Sequence, residues 1–79
     1  MTDKELVINT LKEHSCLTAQ EIKGFIYRKT GDLISPQKIA GIARPFIAAG
    51  LIERGTSPVN NKTVYWLTPT GKAKWNEGG

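Results

Sequence analysis

Near the middle of this 79-residue chain, Ser35-Pro36 and Gly50 bound a segment that carries the start and stop signals of an α-helix. Serine is a favoured N-cap residue, and proline is favoured in the first helical turn, where its missing N–H is not needed. Glycine adopts the left-handed conformation that commonly ends a helix. Between these signals, apolar residues recur every three or four positions, at Ile39, Ile42, Ala43, Phe46 and Ile47. The pattern predicts an amphipathic helix over residues 36–49.

Pro45 lies inside this predicted helix. An interior proline removes one backbone hydrogen bond and crowds the carbonyl four residues earlier, which costs about 3 kcal/mol in a regular helix. That earlier residue is Gly41, whose backbone adjusts more freely than that of other residues. We therefore expect one helix that bends near residues 41–45, and not two separate helices.

Two helices are predicted before this one. Leu6, Val7, Ile8 and Leu11 gather on one side of a helix over about residues 3–14, with Thr2 as its N-cap. Thr18 and Glu21 have the spacing of a capping box, which predicts that a second helix begins there and ends before Gly31.

A β-hairpin is predicted after Gly50. Residues 51–54 and 63–68 have strand composition, and the polar stretch 55–62 between them is typical of a hairpin loop. Alternation along the second strand sends Tyr65 and Trp66 to opposite faces, so at least one of them lies outside the main core. Thr68-Pro69 repeats the cap-and-proline signal and predicts a short final helix through Trp75.

The length of the chain allows one domain, residues 1–79, with one modest core. Its single cysteine, Cys16, excludes an internal disulfide, and His14 with Cys16 supplies only two of the four ligands of a structural zinc site. No glycine-rich phosphate loop and no nucleophile with a base and an orienting group are present. We therefore expect a non-enzymatic protein without a cofactor. The absence of a signal sequence and of a long apolar stretch predicts a cytoplasmic protein that does not enter a membrane.

The net charge of +4 is unevenly distributed along the chain. Residues 1–22 contain two lysines and four acidic residues, a net charge of −2. Residues 23–79 contain nine basic and three acidic residues, a net charge of +6. A basic region of this kind is typical of a protein that binds a polyanion, although a solubilising surface produces similar counts.

The predicted order of elements, three helices followed by a hairpin, is that of an α+β winged helix-turn-helix domain. Residues 35–54 resemble the recognition helix and first wing strand of that family. Leu67-Thr68-Pro69-Thr70-Gly71 is similar to the segment that follows the wing in MarR-type repressors. Thr18-Ala19-Gln20-Glu21-Ile22 and Val64-Tyr65-Trp66-Leu67 are similar to the small fimbrial regulators of the PapI/FaeA type, which also match in length.

This resemblance implies a transcriptional regulator that binds double-stranded DNA, with the helix 36–49 in the major groove and the wing 51–68 on the DNA backbone. Ala40 and Gly41 fall on the recognition face but have no side chain that reads a base, so we expect either modest sequence specificity or recognition partly through DNA shape. The residues expected to contact DNA are Ser35, Gln37, Lys38, Arg44, Arg54, Asn60, Asn61 and Lys62.

Three points stay open: the function of the domain, its partner on DNA and the form of nucleic acid that it binds. A winged-helix domain can also serve as a protein–protein interaction module without specific DNA binding, and the small side chains of Ala40 and Gly41 favour that function. The partner of the chain on DNA is a second copy of itself or another regulator, because symmetric sites are usually read by dimers.

The loop segment Gly55-Thr56-Ser57-Pro58 is also similar to the wing of proteins that bind Z-form nucleic acid. Ala40 and Arg44 replace the asparagine and tyrosine that those proteins use.

Overall fold

Each of the first three helices begins at a hydroxyl side chain that the sequence predicted as its cap. In the computed structural model, which describes residues 2–77 and the side chains of residues 2–74, Thr2 and Thr18 each form a complete capping box. The hydroxyl of Ser35 accepts a hydrogen bond from the backbone N–H of Lys38. The elements, in chain order, are α1 (Asp3–Glu13), α2 (Ala19–Thr30), α3 (Pro36–Ala48), β1 (Ile52–Thr56), β2 (Thr63–Leu67) and α4 (Pro69–Glu77).

This order confirms the predicted α+β winged helix-turn-helix architecture. The predicted boundaries of the hairpin need correction, because β1 begins one residue later and ends two residues later than expected. The third helix ends at Ala48, so Ala49 is its C-cap. None of the described helices is long and apolar enough to cross a membrane.

The core is formed where the three helices meet one face of the hairpin. Helix α1 contributes the largest share, with four buried aliphatic residues on adjacent turns. The fully buried side chains of the core include Val7, Ile8, Leu11, Ile22, Ile26, Ile39 and Ile52. Burial of a side chain of this size stabilises the fold by about 1.5–3 kcal/mol, so this cluster supplies most of the driving force for folding.

Helix α3 continues without interruption through Pro45, which confirms that the proline does not divide it. Gly41 is exposed, so water can reach the carbonyl that Pro45 leaves without a donor. Gly50 follows the C-cap Ala49 and, as predicted, terminates the helix in the left-handed conformation, with a φ of +77°. The N–H groups of Gly50 and Leu51 donate to the carbonyls of Ile47 and Phe46, which is the Schellman pattern.

The hairpin places Tyr65 in the core and Trp66 on the opposite face. Tyr65 pairs with Arg54 across the hairpin and is 7% exposed, whereas Trp66 is half-buried. The Trp66 ring lies over Gly55, where a Cβ atom would be 2.9 Å from the ring atom Cη2. The backbone of Gly55 pairs with that of Val64, so this glycine belongs to β1 and not to the loop as the sequence suggested.

A further backbone contact joins the hairpin to the segment between α1 and α2. Leu17 forms an antiparallel bridge with Tyr65, and their N–H groups donate to each other's carbonyls at 3.1 and 2.8 Å. The preceding residue, Cys16, has a φ of +58°. The sequence did not predict this bridge, which fixes the base of the hairpin to the start of α2.

The start of α4 is locked to the end of α3. The Thr68 hydroxyl donates to the carbonyl of Gly50 at 2.8 Å and accepts from the N–H of Gly71 at 3.0 Å. The backbone of Gly71 lies directly against the carbonyl of Leu51, so a Cβ atom at residue 71 would overlap that oxygen. The Thr-Pro-x-Gly segment is therefore required by the packing of two chain segments.

Gly71→Ala is expected to lower the free energy of unfolding by about 2–3 kcal/mol, because either the Leu51 carbonyl or the start of α4 must move. Gly24→Ala is the matched control, since Gly24 lies inside α2 with open space around its Cα. That variant should gain about 0.5–1 kcal/mol from helix propensity. Urea unfolding of both variants measures the difference, and equal stabilities would contradict the packing argument.

Candidate nucleic-acid interface

Helix α3 divides its residues between the core and solvent. Ile39 and Ala43 are buried against the rest of the molecule, with relative exposures of 0% and 1%. The opposite face is open to solvent, and its exposed residues are Gln37, Lys38, Gly41, Arg44, Pro45 and Ala48. Ala40 is half-buried at the edge of this face. The structure thus brings the residues predicted on the recognition helix to one exposed surface, which we call the α3 face.

Ser35 stands at the beginning of the α3 face but has a structural role. Its hydroxyl oxygen accepts a hydrogen bond of 3.2 Å from the N–H of Lys38. An N-cap contact of this kind satisfies one of the four free donors at the start of a helix. Contact between Ser35 and a ligand therefore has to coexist with this bond.

Lys38 is paired with an acidic residue of another helix. Its ammonium nitrogen lies 2.7 Å from the carboxylate oxygen Oδ2 of Asp3, and both side chains are partly exposed. The neighbouring Lys4 ammonium lies 5.9 Å from the centre of the Phe46 ring, further along α3. The N-terminal turn of α1 thus lies beside α3, a placement that the sequence did not predict.

Gln37 and Arg44 differ from Lys38 in having no such partner. Among residues 2–74, whose side chains the structure describes, neither side chain forms a hydrogen bond or an ion pair. No contact inside the described structure accounts for an amide and a guanidinium at these positions. Both groups are available to a molecule that approaches the α3 face.

Arg54 lies in a strand of the hairpin, whereas Lys62 lies in its loop. Arg54 is exposed in the middle of β1 and lines an open recess together with Gly55, Thr56 and Thr63. Lys62 is exposed at the end of the loop that joins the strands. Both cations predicted on the wing are therefore exposed, one in a strand and the other in the loop.

The two asparagines of the loop determine its shape. The Asn60 carbonyl oxygen Oδ1 accepts from the N–H of Lys62 at 3.1 Å, and Asn61 has a φ of +60°, a conformation that asparagine tolerates well. The loop is closed by hydrogen bonds from Ser57 N–H to the Lys62 carbonyl and from Asn61 N–H to the Ser57 carbonyl. Each asparagine therefore has a local structural role, in addition to the contact predicted from the sequence.

A second ion pair lies at the opposite end of α1. The Lys29 ammonium is 2.7 Å from a carboxylate oxygen of Glu13 and hydrogen-bonded to it. This contact and the positive charge of Lys29 hold the pKa of Glu13 below its ordinary value. The pair connects the ends of α1 and α2, away from the first turn of α1 that lies beside α3.

At the level of sequence, no protein-family model and no curated protein matches the chain. At the level of structure, a MarR-family transcription regulator aligns with 99% of the chain at 27% identity and a TM-score of 0.73. A transcriptional regulator from Clostridium thermocellum aligns with 95% at 19% identity and a TM-score of 0.77. A MarR-family regulator from Neisseria meningitidis aligns with 95% at 26% identity and a TM-score of 0.62.

These comparisons confirm the predicted resemblance to MarR-type winged-helix proteins, and the chain has their fold. It covers 52% of the first of these structures, 74% of the second and 51% of the third. The chain thus spans about half the length of both MarR-family proteins. The resemblance to the PapI/FaeA type stays a prediction.

Ser35→Ala is expected to lower the free energy of unfolding by about 1 kcal/mol, because the N–H of Lys38 loses its acceptor. Ser35→Asn should stay within a few tenths of a kcal/mol of the native protein, since asparagine is an equally good N-cap. Ser15→Ala serves as a control at an exposed position outside the helices. Urea unfolding checks all three, and an Ala variant as stable as the Asn variant would rule out the capping role.

Proposed function

We propose that the chain is a DNA-binding transcriptional regulator that inserts α3 into the major groove of double-stranded DNA and lays the hairpin on the DNA backbone. The observation that carries this proposal is the α3 face. Its long polar side chains point to solvent, while the opposite side of the helix is buried. An α-helix fits the major groove of B-form DNA, where the donor and acceptor pattern of each base pair is distinct.

Gln37 and Arg44 are the candidates for reading bases. A glutamine amide can form two hydrogen bonds with adenine, and an arginine guanidinium can form two with guanine. Both side chains are exposed and are not engaged elsewhere in residues 2–77. Gly41 lies between them with open space around its Cα, so the backbone of α3 can approach the groove closely at this point.

Arg54 and Lys62 are the candidates for contacts with phosphates, together with Lys38. Lysine acts as a mobile point charge and therefore attracts phosphates without distinguishing bases. Asn60 and Asn61 are proposed as neutral contacts whose positions the closed loop fixes. In this arrangement the hairpin contributes affinity and α3 contributes specificity.

The named structural neighbours, two described as transcription regulators and one as a MarR-family regulator, support the same function. A second copy of the chain or another regulator is proposed as the partner on a symmetric site, where the two recognition helices would lie about one DNA turn apart. The alternative, a module that binds only proteins, predicts no affinity for a duplex and is decided by the following measurement.

The native protein is expected to bind a mixed-sequence duplex at micromolar concentration in low salt, as measured by fluorescence anisotropy. The logarithm of the binding constant should fall with the logarithm of salt concentration with a slope of about −2 to −3, if the three cations Lys38, Arg54 and Lys62 neutralise phosphates. Lys62→Ala should weaken binding to all duplexes and reduce the slope by about 0.9.

Lys12→Ala is the matched control for this variant, because Lys12 is exposed in the last turn of α1. It removes the same charge outside the α3 face and the hairpin and should leave the slope unchanged. Absence of duplex binding at low salt would contradict the DNA function and favour the protein-binding alternative.

Arg44→Ala is expected to reduce the preference for a selected operator over a scrambled duplex by about 5–100-fold, the equivalent of 1–3 kcal/mol for one lost bidentate base contact. Arg44→Lys keeps the charge but lacks the planar pair of donors. If Arg44 reads guanine, both variants lose the preference. If Arg44 contacts only a phosphate, both variants retain the preference, because a phosphate carries no sequence information, and the proposed reading role is wrong.

A further inference from the structure

The ion pair between Asp3 and Lys38 joins the first turn of α1 to the first turn of the proposed recognition helix. The distance between the two charged atoms is 2.7 Å, and the side chains of Lys38 and Asp3 are 59% and 37% exposed. A carboxylate offers a lysine the same kind of contact as a phosphate oxygen, namely a negatively charged acceptor at hydrogen-bond distance. Asp3 therefore occupies the place that a DNA phosphate would take on this lysine.

We propose that Asp3 competes with DNA phosphate for Lys38 and so lowers the affinity of the α3 face for every duplex. This inference rests on the proposed function, because it concerns the same surface. In the free protein, Asp3 neutralises the ammonium of Lys38. When DNA binds, the Lys38 ammonium must either leave Asp3 or be shared between the carboxylate and the phosphate, and the carboxylate then faces the negatively charged backbone.

The structure does not need Asp3 to begin α1. The capping box of this helix is formed by Thr2 and Glu5, with hydrogen bonds in both directions between them. Asn at position 3 keeps the size of the side chain and removes only its charge. Asp3→Asn thus separates the effect on Lys38 from the folding of the helix.

The chain also contains a matched control. Glu13 and Lys29 form an ion pair of the same length, 2.7 Å, that is likewise exposed. Glu13→Gln changes the net charge by the same amount as Asp3→Asn. The two acidic residues lie at opposite ends of α1, about 15 Å apart at 1.5 Å per residue, which exceeds the screening length of about 10 Å at 0.1 M salt.

The experiment measures the dissociation constant of a mixed-sequence duplex for five proteins by fluorescence anisotropy, across a series of salt concentrations. They are the native protein, Asp3→Asn, Glu13→Gln, Lys38→Ala and the double variant Asp3→Asn/Lys38→Ala. We expect Asp3→Asn to bind about three- to fivefold more tightly than the native protein, the range of an exposed ion pair. Its salt dependence should be steeper by up to about 0.9, because one more cation is available to the phosphates.

Glu13→Gln should bind within about 1.5-fold of the native protein, because its charge is screened from the α3 face. In the Lys38→Ala background, the effect of Asp3→Asn should fall below about twofold, since the lysine through which Asp3 acts is missing. Melting curves followed by circular dichroism verify that all five proteins are folded.

Three results would overturn the inference while leaving the DNA function intact: Asp3→Asn binds no more tightly than the native protein, Glu13→Gln gives the same gain, or the full gain persists without Lys38. The first result would mean that Asp3 positions Lys38 or has no effect on it. The second would mean that only the net charge matters, and the third that Asp3 repels the DNA directly and not through Lys38. If none of the five proteins binds a duplex, the inference and the proposed function both fail.

Discussion

The packing of Ile39 and Ala43 into the core is the interaction on which the rest of the structure depends. These two residues lie one helical turn apart, and their burial fixes the rotation of α3 about its own axis. Once that rotation is fixed, Gln37, Gly41 and Arg44 have to face solvent. The polar residues on the exposed face of α3 therefore do not disturb the packing of the core, because the buried face is formed by other residues.

The position of the hairpin relative to α3 depends on hydrogen bonds made by Thr68, which follows β2, and by Tyr65 within β2. The carbonyls of Gly50 and Leu51 at the end of α3 receive hydrogen bonds from Thr68, and Leu17 pairs with Tyr65. Neither contact uses a side chain of the α3 face or of the loop. The hairpin is thus held by its base while its tip stays open, so changes of loop sequence can alter ligand contacts without changing the fold.

Local signals explain how much of the fold the sequence could predict. Helix boundaries depend on local signals, namely the N-cap residues, the proline in the first turn of α3 and Gly50, which affect only the few residues beside them. The predicted helix boundaries differ from the observed ones by at most two residues. The sequence predicts Gly55 in the loop, whereas its place in β1 comes from pairing with Val64, nine residues away, which no local signal marks. The bridge between Leu17 and Tyr65 is a contact of still longer range, and no local pattern marks it. For the candidate site, helical periodicity predicted which α3 residues are exposed, but not that Asp3 reaches one of them.

The residues predicted for DNA contact divide into two groups once their partners inside the chain are known. Ser35 and Asn60 accept backbone hydrogen bonds, so selection for the fold alone accounts for their presence. Gln37 and Arg44 have no comparable role in residues 2–77, and long flexible side chains lose conformational entropy whenever they are ordered. Their presence on a helix face that the core does not use is the part of the sequence that folding leaves unexplained. Lys38 falls between the groups, since its partner is a charge and not a backbone atom. An exposed ion pair adds little stability, so the free energy needed to exchange Asp3 for a phosphate is small and the α3 face is adjustable at that residue.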